Sequence, residues 1–116
     1  MIVLKNISKT FGNQKILNNI SLNISNGDFV SVVGPSGAGK TTLINIIGTI
    51  ESFDPGQNSE LKLDGVEVSK LKQNEISRFR NENIGFVFQF HQLFLIMISC
   101  LSCCNFLIQS SRRLII

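Results

Sequence analysis

A chain of 116 residues holds one domain at most, with a small core. Hydrophobic residues at 43% and charged residues at 16% exclude a disordered tail, a collagen-like strand and a heptad rod. The net charge of +3 owes two units to Arg112 and Arg113 near the C-terminus, so the body of the chain lacks the dense basic stripe of a nucleic-acid binder. In chain order, Met1–Thr10 carries Lys5 and Lys9 but no apolar stretch of signal-peptide length. Ile2 and Leu4, then Ile20, Leu22 and Ile24, repeat at period two and predict two half-buried strands. Asn26-Gly27 ahead of Asp28 is a turn signal. Phe29–Val33 is a nearly continuous apolar run, the pattern of a strand buried on both faces of a parallel sheet.

Leu43, Ile46, Ile47 and Ile50 fall on one helical face and predict an amphipathic helix over Gly39–Ile50. Asp54-Pro55-Gly56 reads as a turn, and Leu61, Leu63, Val66 and Val68 around Asp64-Gly65 read as a hairpin. Asn74 is placed to cap a short helix carrying Ile76 and Phe79, and Ile84–Phe88 reads as another buried strand. There is no internal repeat. Composition shifts once, near Phe94, beyond which Leu95–Ile108 is almost wholly apolar or small.

The chemistry concentrates in Gly34-Pro35-Ser36-Gly37-Ala38-Gly39-Lys40-Thr41, which matches G-x-x-x-x-G-K-[ST] between an apolar run and a helical pattern. Gly37 and Gly39 let the backbone curl so that successive N–H groups converge on an anion. A helix starting near Gly39 aims its positive end at the same point. Lys40 adds a point charge for outer phosphates, and the Thr41 hydroxyl suits Mg²⁺ bridging phosphate oxygens. The competing reading, a Gly-Ser loop that only turns a strand into a helix, leaves Lys40-Thr41 in register unexplained. The loop marks a nucleoside triphosphate site and leaves the enzyme class open. A small kinase or G-protein usually starts with the loop's own strand, whereas here strand and turn patterns, including Lys9-Thr10-Phe11-Gly12, come first.

With the downstream run Ile84-Gly85-Phe86-Val87-Phe88-Gln89, the chain resembles the ATP-binding subunits of ABC transporters. Within them it is most similar to the lipoprotein-release and macrolide-export branch, the lipoprotein-releasing subunits nearest. The similarity covers residues 1–94, through "LKNISKTFGNQKIL", "GDFVSVVGPSGAGKTTLINIIGT", "LDGVEVSKL" and "RNENIGFVFQFHQL". The resemblance implies an α/β P-loop NTPase fold, represented by its antiparallel β subdomain and an incomplete parallel core sheet. It implies ATP and Mg²⁺ as ligands, with Phe11 stacking on adenine and Gly34, Pro35, Ser36, Gly37, Ala38, Gly39, Lys40, Thr41 and Thr42 around the phosphates. Gln89, at the family's Q-loop, contacts Mg²⁺ or the attacking water and links the site to the membrane partner, so Thr41 and Gln89 are the metal-contacting pair. His91 faces that partner or solvent. The family's partners are a membrane subunit and a second ATP-binding subunit closing head to tail, on the cytoplasmic face of the inner membrane. No nucleic acid is implied.

Beyond Phe94 the family's proline-containing segment, helical subdomain, Leu-Ser-Gly-Gly-Gln signature, Asp-Glu strand and switch histidine do not follow. The expectation is a partial ATP-binding domain over 1–94 and a non-family tail over 95–116, from a frameshift or premature stop. Such a chain cradles a nucleotide without the carboxylates that hydrolysis needs. It also exposes strand edges around Phe29–Val33 and Ile84–Phe88, which predicts poor solubility. Cys100, Cys103 and Cys104 form no disulfide framework, and with His91 as the one histidine they lack zinc spacing, so they read as reduced thiols. A second reading is a purely structural, non-functional or membrane-attached fragment with no nucleotide turnover, its apolar residues 93–108 flanked by Arg112 and Arg113, weakened by Asn105, the serines and the cysteines. A small phosphotransferring kinase is the third, and the run ending in Gln89 argues against it.

Overall fold

The computed structural model describes residues 1–86 and 114–115. Two compact units, Met1–Ile76 and Ser77–Ile116, share the chain. In the first, β1 (Ile2–Phe11) and β2 (Gln14–Ile24) form a long antiparallel pair around Gly12-Asn13. α1 (Lys40–Ile47) follows the glycine-rich loop, and β3 (Glu60–Leu63) and β4 (Val66–Glu67) form the Asp64-Gly65 hairpin. The sheet runs β2-β1-β3-β4, all neighbours antiparallel. A 3₁₀ turn spans Val68–Lys70, and α2 runs Gln73–Asn83. In the second unit, β5 (Ile84–Gly85) pairs in parallel with β6 (Leu114–Ile115).

Alternation along β1 explains the core. Ile2 and Leu4 face inward and pair with Leu63 and Leu61 on one side and with Ile24 and Leu22 on the other. Ile7, Leu17, Val68 and the α1 residues Ile46 and Ile47 complete the buried apolar set of this first unit. Leu4, Ile7 and Ile46 are fully buried, each side chain worth about 1.5–3 kcal/mol of transfer free energy. The β1–β2 register shifts between Leu4 and Ile7 and again up to Thr10. Asn6 (φ 49°) and Asn19 (φ 50°) adopt the left-handed conformation that asparagine tolerates at such irregularities. Ser8 locks one of them, its Oγ donating to Asn19 Oδ1 and accepting from the Asn19 N–H, both at 3.0 Å.

Several expectations need correction. Phe29–Val33 joins no strand pairing among the described residues, and Phe29 and Val33 are 97% and 86% exposed. An apolar run becomes a buried strand only where neighbouring strands flank it, and the described chain offers it none. The α1 helix ends at Ile47, short of the expected Ile50, which is exposed. The expected turn at Asp54-Pro55-Gly56 forms later, at Gln57-Asn58, where the Ser59 N–H reaches Gly56 O at 3.3 Å and Asn58 takes φ 63°. Asn74 lies inside α2 and is not its cap. The start is fastened by Glu75, whose carboxylate accepts from the Lys72 N–H at 2.7 Å. The Ile84–Gly85 edge is not bare, because Leu114–Ile115 pairs with it. Phe86 already lies past that two-residue strand, and the end of the expected strand, Val87-Phe88, lies outside the described residues, as do Gln89, His91, the three cysteines and the 93–108 segment. Among the described residues no helix is long and apolar enough to cross a membrane, and no group of His, Cys, Asp and Glu could hold a metal by itself.

Candidate functional site

The loop Gly34–Gly39 leads directly into α1. Gly37 (φ 80°) and Gly39 (φ 82°) both take left-handed backbone, which curls the loop back over the helix start. Inside the loop the Ala38 N–H donates to Pro35 O at 3.3 Å, and Gly39 O accepts the first helical bond from the Leu43 N–H at 2.9 Å. No side chain caps the N-terminus of α1, and its first turn carries no acidic residue. The leading N–H groups of α1 therefore have no intrahelical acceptor, and the positive end of the helix is not neutralised locally.

Lys40 arches back across this loop. Its Nζ donates to Gly34 O at 2.8 Å and to Pro35 O at 2.7 Å, so the ammonium group stands over the loop's own opening segment. Residues 34–38 and Thr41 are exposed, while Gly39, Lys40 and Thr42 are half-buried. One short stretch thus unites glycine-shaped backbone, free helix N–H groups, a fixed cation and an accessible hydroxyl. That combination suits an oligophosphate chain.

The loop is seated on β2. A Cβ on Gly39 would lie 2.9 Å from both Ile16 Cγ2 and Leu17 Cδ2 and 3.2 Å from Ile16 O. Motif reasoning gives Gly39 a conformational reason and misses this packing reason. Phe11 stands at the end of β1, opposite Gln14, with 48% of the residue exposed. Lys9 Nζ lies 5.0 Å from the centroid of that ring and 2.8 Å from Glu51 Oε1. The motifs of the sequence do not pair Lys9 with Glu51. The available signal was a lysine at Ile7 plus two, on the side of β1 where the apolar residues belong.

A second concavity in this unit, about 380 Å³, lies beside the C-terminal end of α1 among Ile46, Phe53, Leu61, Val68 and Ile76. Its one acidic group, Glu51, is engaged by Lys9, and the lining does not suit phosphate. Of the sequence-predicted residues, Gly34 to Thr42 come together in the loop and first helical turn, Phe11 sits at the β1 end, and Gln89 lies outside the described residues.

Comparison with known proteins places this geometry in context. A family model described as ABC transporter matches residues 17–100. The chain is 55% identical over 93 residues to the lipoprotein-releasing system ATP-binding protein LolD of Bacteroides fragilis, covering 80% of this chain and 42% of that protein. It is 48% identical over 93 residues to the macrolide export ATP-binding/permease protein MacB of Campylobacter jejuni, covering 80% and 14%. Among solved structures, the dimeric post-hydrolysis state of the ATP-binding cassette MJ0796, a protein of Methanocaldococcus jannaschii, bound to ADP and Pi, matches with a TM-score of 0.68 at 40% identity, covering 77% of this chain and 39% of that one. The chain spans about two-fifths of the length of the LolD protein it matches.

Proposed function

We propose that this chain, which belongs to the ABC transporter family, holds the triphosphate of ATP in its Gly34–Thr42 loop and serves an exporter of the lipoprotein-releasing kind. The observation that carries the reading is Lys40 bridging Gly34 O and Pro35 O above an uncapped helix start. With a nucleotide in the loop, the Lys40 ammonium exchanges those two carbonyls for phosphate oxygens, and the N–H groups of Gly37 to Thr41 supply directional donors. Phe11 offers a half-exposed ring for the adenine to stack on.

Thr41, exposed on the first turn of α1, is the described residue whose hydroxyl fits Mg²⁺, and Gln89 is its proposed companion. Since no described acidic cluster could hold a metal by itself, the fit is with an ion that takes most of its ligands from the nucleotide. When bound, Mg²⁺ neutralises developing phosphate charge.

ATP hydrolysis, pairing with a second ATP-binding subunit and docking on a membrane subunit at the cytoplasmic face of the inner membrane belong to the proposed whole protein. The LolD similarity favours lipoprotein release as the task. The test is titration of the full chain with labelled ATP, with and without Mg²⁺, against Lys40→Ala. Saturable, Mg²⁺-sensitive binding that weakens about tenfold or more in the variant is expected. A folded, soluble sample that takes up no nucleotide would overturn the reading.

A further inference from the structure

We propose that Lys9 is a positioning residue for the Phe11 ring, itself held in place by Glu51; this rests on the adenine-stacking role given to Phe11 above. Among the described residues Lys9 is the buried charged one, only 10% of its side chain being exposed. A lysine so enclosed needs partners for its ammonium group. It has two, the Glu51 carboxylate at 2.8 Å and the face of the Phe11 ring at 5.0 Å.

Each partner connects to the site. Glu51 follows α1, the helix whose first turn the phosphate loop feeds, and the same segment is tied to β1 by the Asp54 N–H donating to Ser8 O at 2.9 Å. Across the strand pair Lys9 stands opposite Leu17, the residue against which Gly39 is packed. The Lys9 cation therefore ties the aromatic platform to the segment that follows α1, while the Lys9 backbone pairs with one of the residues on which the loop is seated. Phe11 lies at a strand end with about half its surface open, and the Lys9 ammonium stands over its ring. Fixing the ring beforehand removes part of the ordering cost of stacking a base on it.

The experiment compares the full chain with Lys9→Met and Lys9→Arg. ATP and inorganic tripolyphosphate are titrated separately, and the Phe11 ring-proton shifts are recorded without ligand. Lys9→Met should weaken ATP about three- to tenfold and leave tripolyphosphate within about twofold. Its Phe11 ring shifts should move, and Lys9→Arg should restore both readouts, because guanidinium also serves a carboxylate and a ring. Ring shifts unmoved by Lys9→Met, or equal weakening of both ligands, overturn the positioning role, the latter marking a merely structural lysine. Lys40→Ala separates this from the underlying reading, since it should weaken both ligands together. A wild-type chain that binds tripolyphosphate as tightly as ATP removes the platform role while leaving the phosphate site standing.

Discussion

Leu17 Cδ2 stands 2.9 Å from the point where a Cβ on Gly39 would project, so the loop touches β2 with no room for a methyl group. Gly37 has the same left-handed backbone but open space around its Cβ position. The pair separates two costs. Gly37→Ala should destabilise folding by about 1 kcal/mol, from backbone strain alone. Gly39→Ala should cost about 2–4 kcal/mol, because overpacking adds to strain. Urea unfolding of both variants reads the difference, and equal losses would show that the contact with β2 contributes nothing.

Thr49, just past the Gly48 C-cap of α1, takes an unfavourable conformation. Its N–H donates to Ile46 O at 3.0 Å and the next N–H, from Ile50, donates to Asn45 O at 2.9 Å, the bond pattern of a Schellman cap. That cap places Thr49 at φ 59°, where a β-branched residue is strained. Thr49→Gly should therefore stabilise the fold by about 1 kcal/mol, read as a raised midpoint in thermal unfolding at unchanged helicity. A lowered midpoint would mean that the threonine side chain's own contacts outweigh the backbone strain.

What was legible in the sequence was what depends on near neighbours. Period two in Ile2-Leu4 and Ile20-Leu22-Ile24 gives β1 and β2, and Asp64-Gly65 gives the hairpin, because strand faces and tight turns are set within a few residues. The glycine-rich loop is legible because its shape comes from its own glycines. Phe29–Val33 is misread because burial belongs to the neighbouring strands and not to the run itself. Lys9 and the seat of Gly39 are missed for a related reason. The position of Lys9 on the apolar side of β1 is a local signal, but its partner Glu51 and the Leu17 seat of Gly39 lie far along the chain, where local pattern does not reach.

The exposed run should govern association. Phe29 and Val33 present large apolar surface, with Val30 and Val32 partly exposed beside them, and no described strand pairs with the segment. Unpaired apolar backbone of this kind invites edge-to-edge contact between chains. Phe29→Lys combined with Val33→Lys should reduce self-association in sedimentation velocity while changing unfolding free energy by no more than about 0.5 kcal/mol. Association that persists unchanged in this double variant would place the sticky surface elsewhere.

Acid sensitivity should centre on Glu60. This carboxylate accepts from Lys5 at 2.8 Å, its partner across β1 and β3, and also contacts Lys62 on its own strand. The hydrogen bond from Lys5, then that from Lys62, hold its pKa down at about 2 against an ordinary 4.5. A carboxylate with a depressed folded-state pKa contributes stability that is fully present above the unfolded value and fades as pH falls through the folded one. The window is therefore pH 4.5 down to about 2. Glu60→Gln removes the charge at every pH. It should lower the unfolding midpoint near neutrality and converge on the native chain as the solution is acidified through that window. Because the pair lies at the surface, added salt should narrow the neutral-pH difference. A Glu60→Gln chain whose midpoint tracks the native one from pH 7 to pH 2 would show that the Lys5–Glu60–Lys62 contact does not stabilise the sheet.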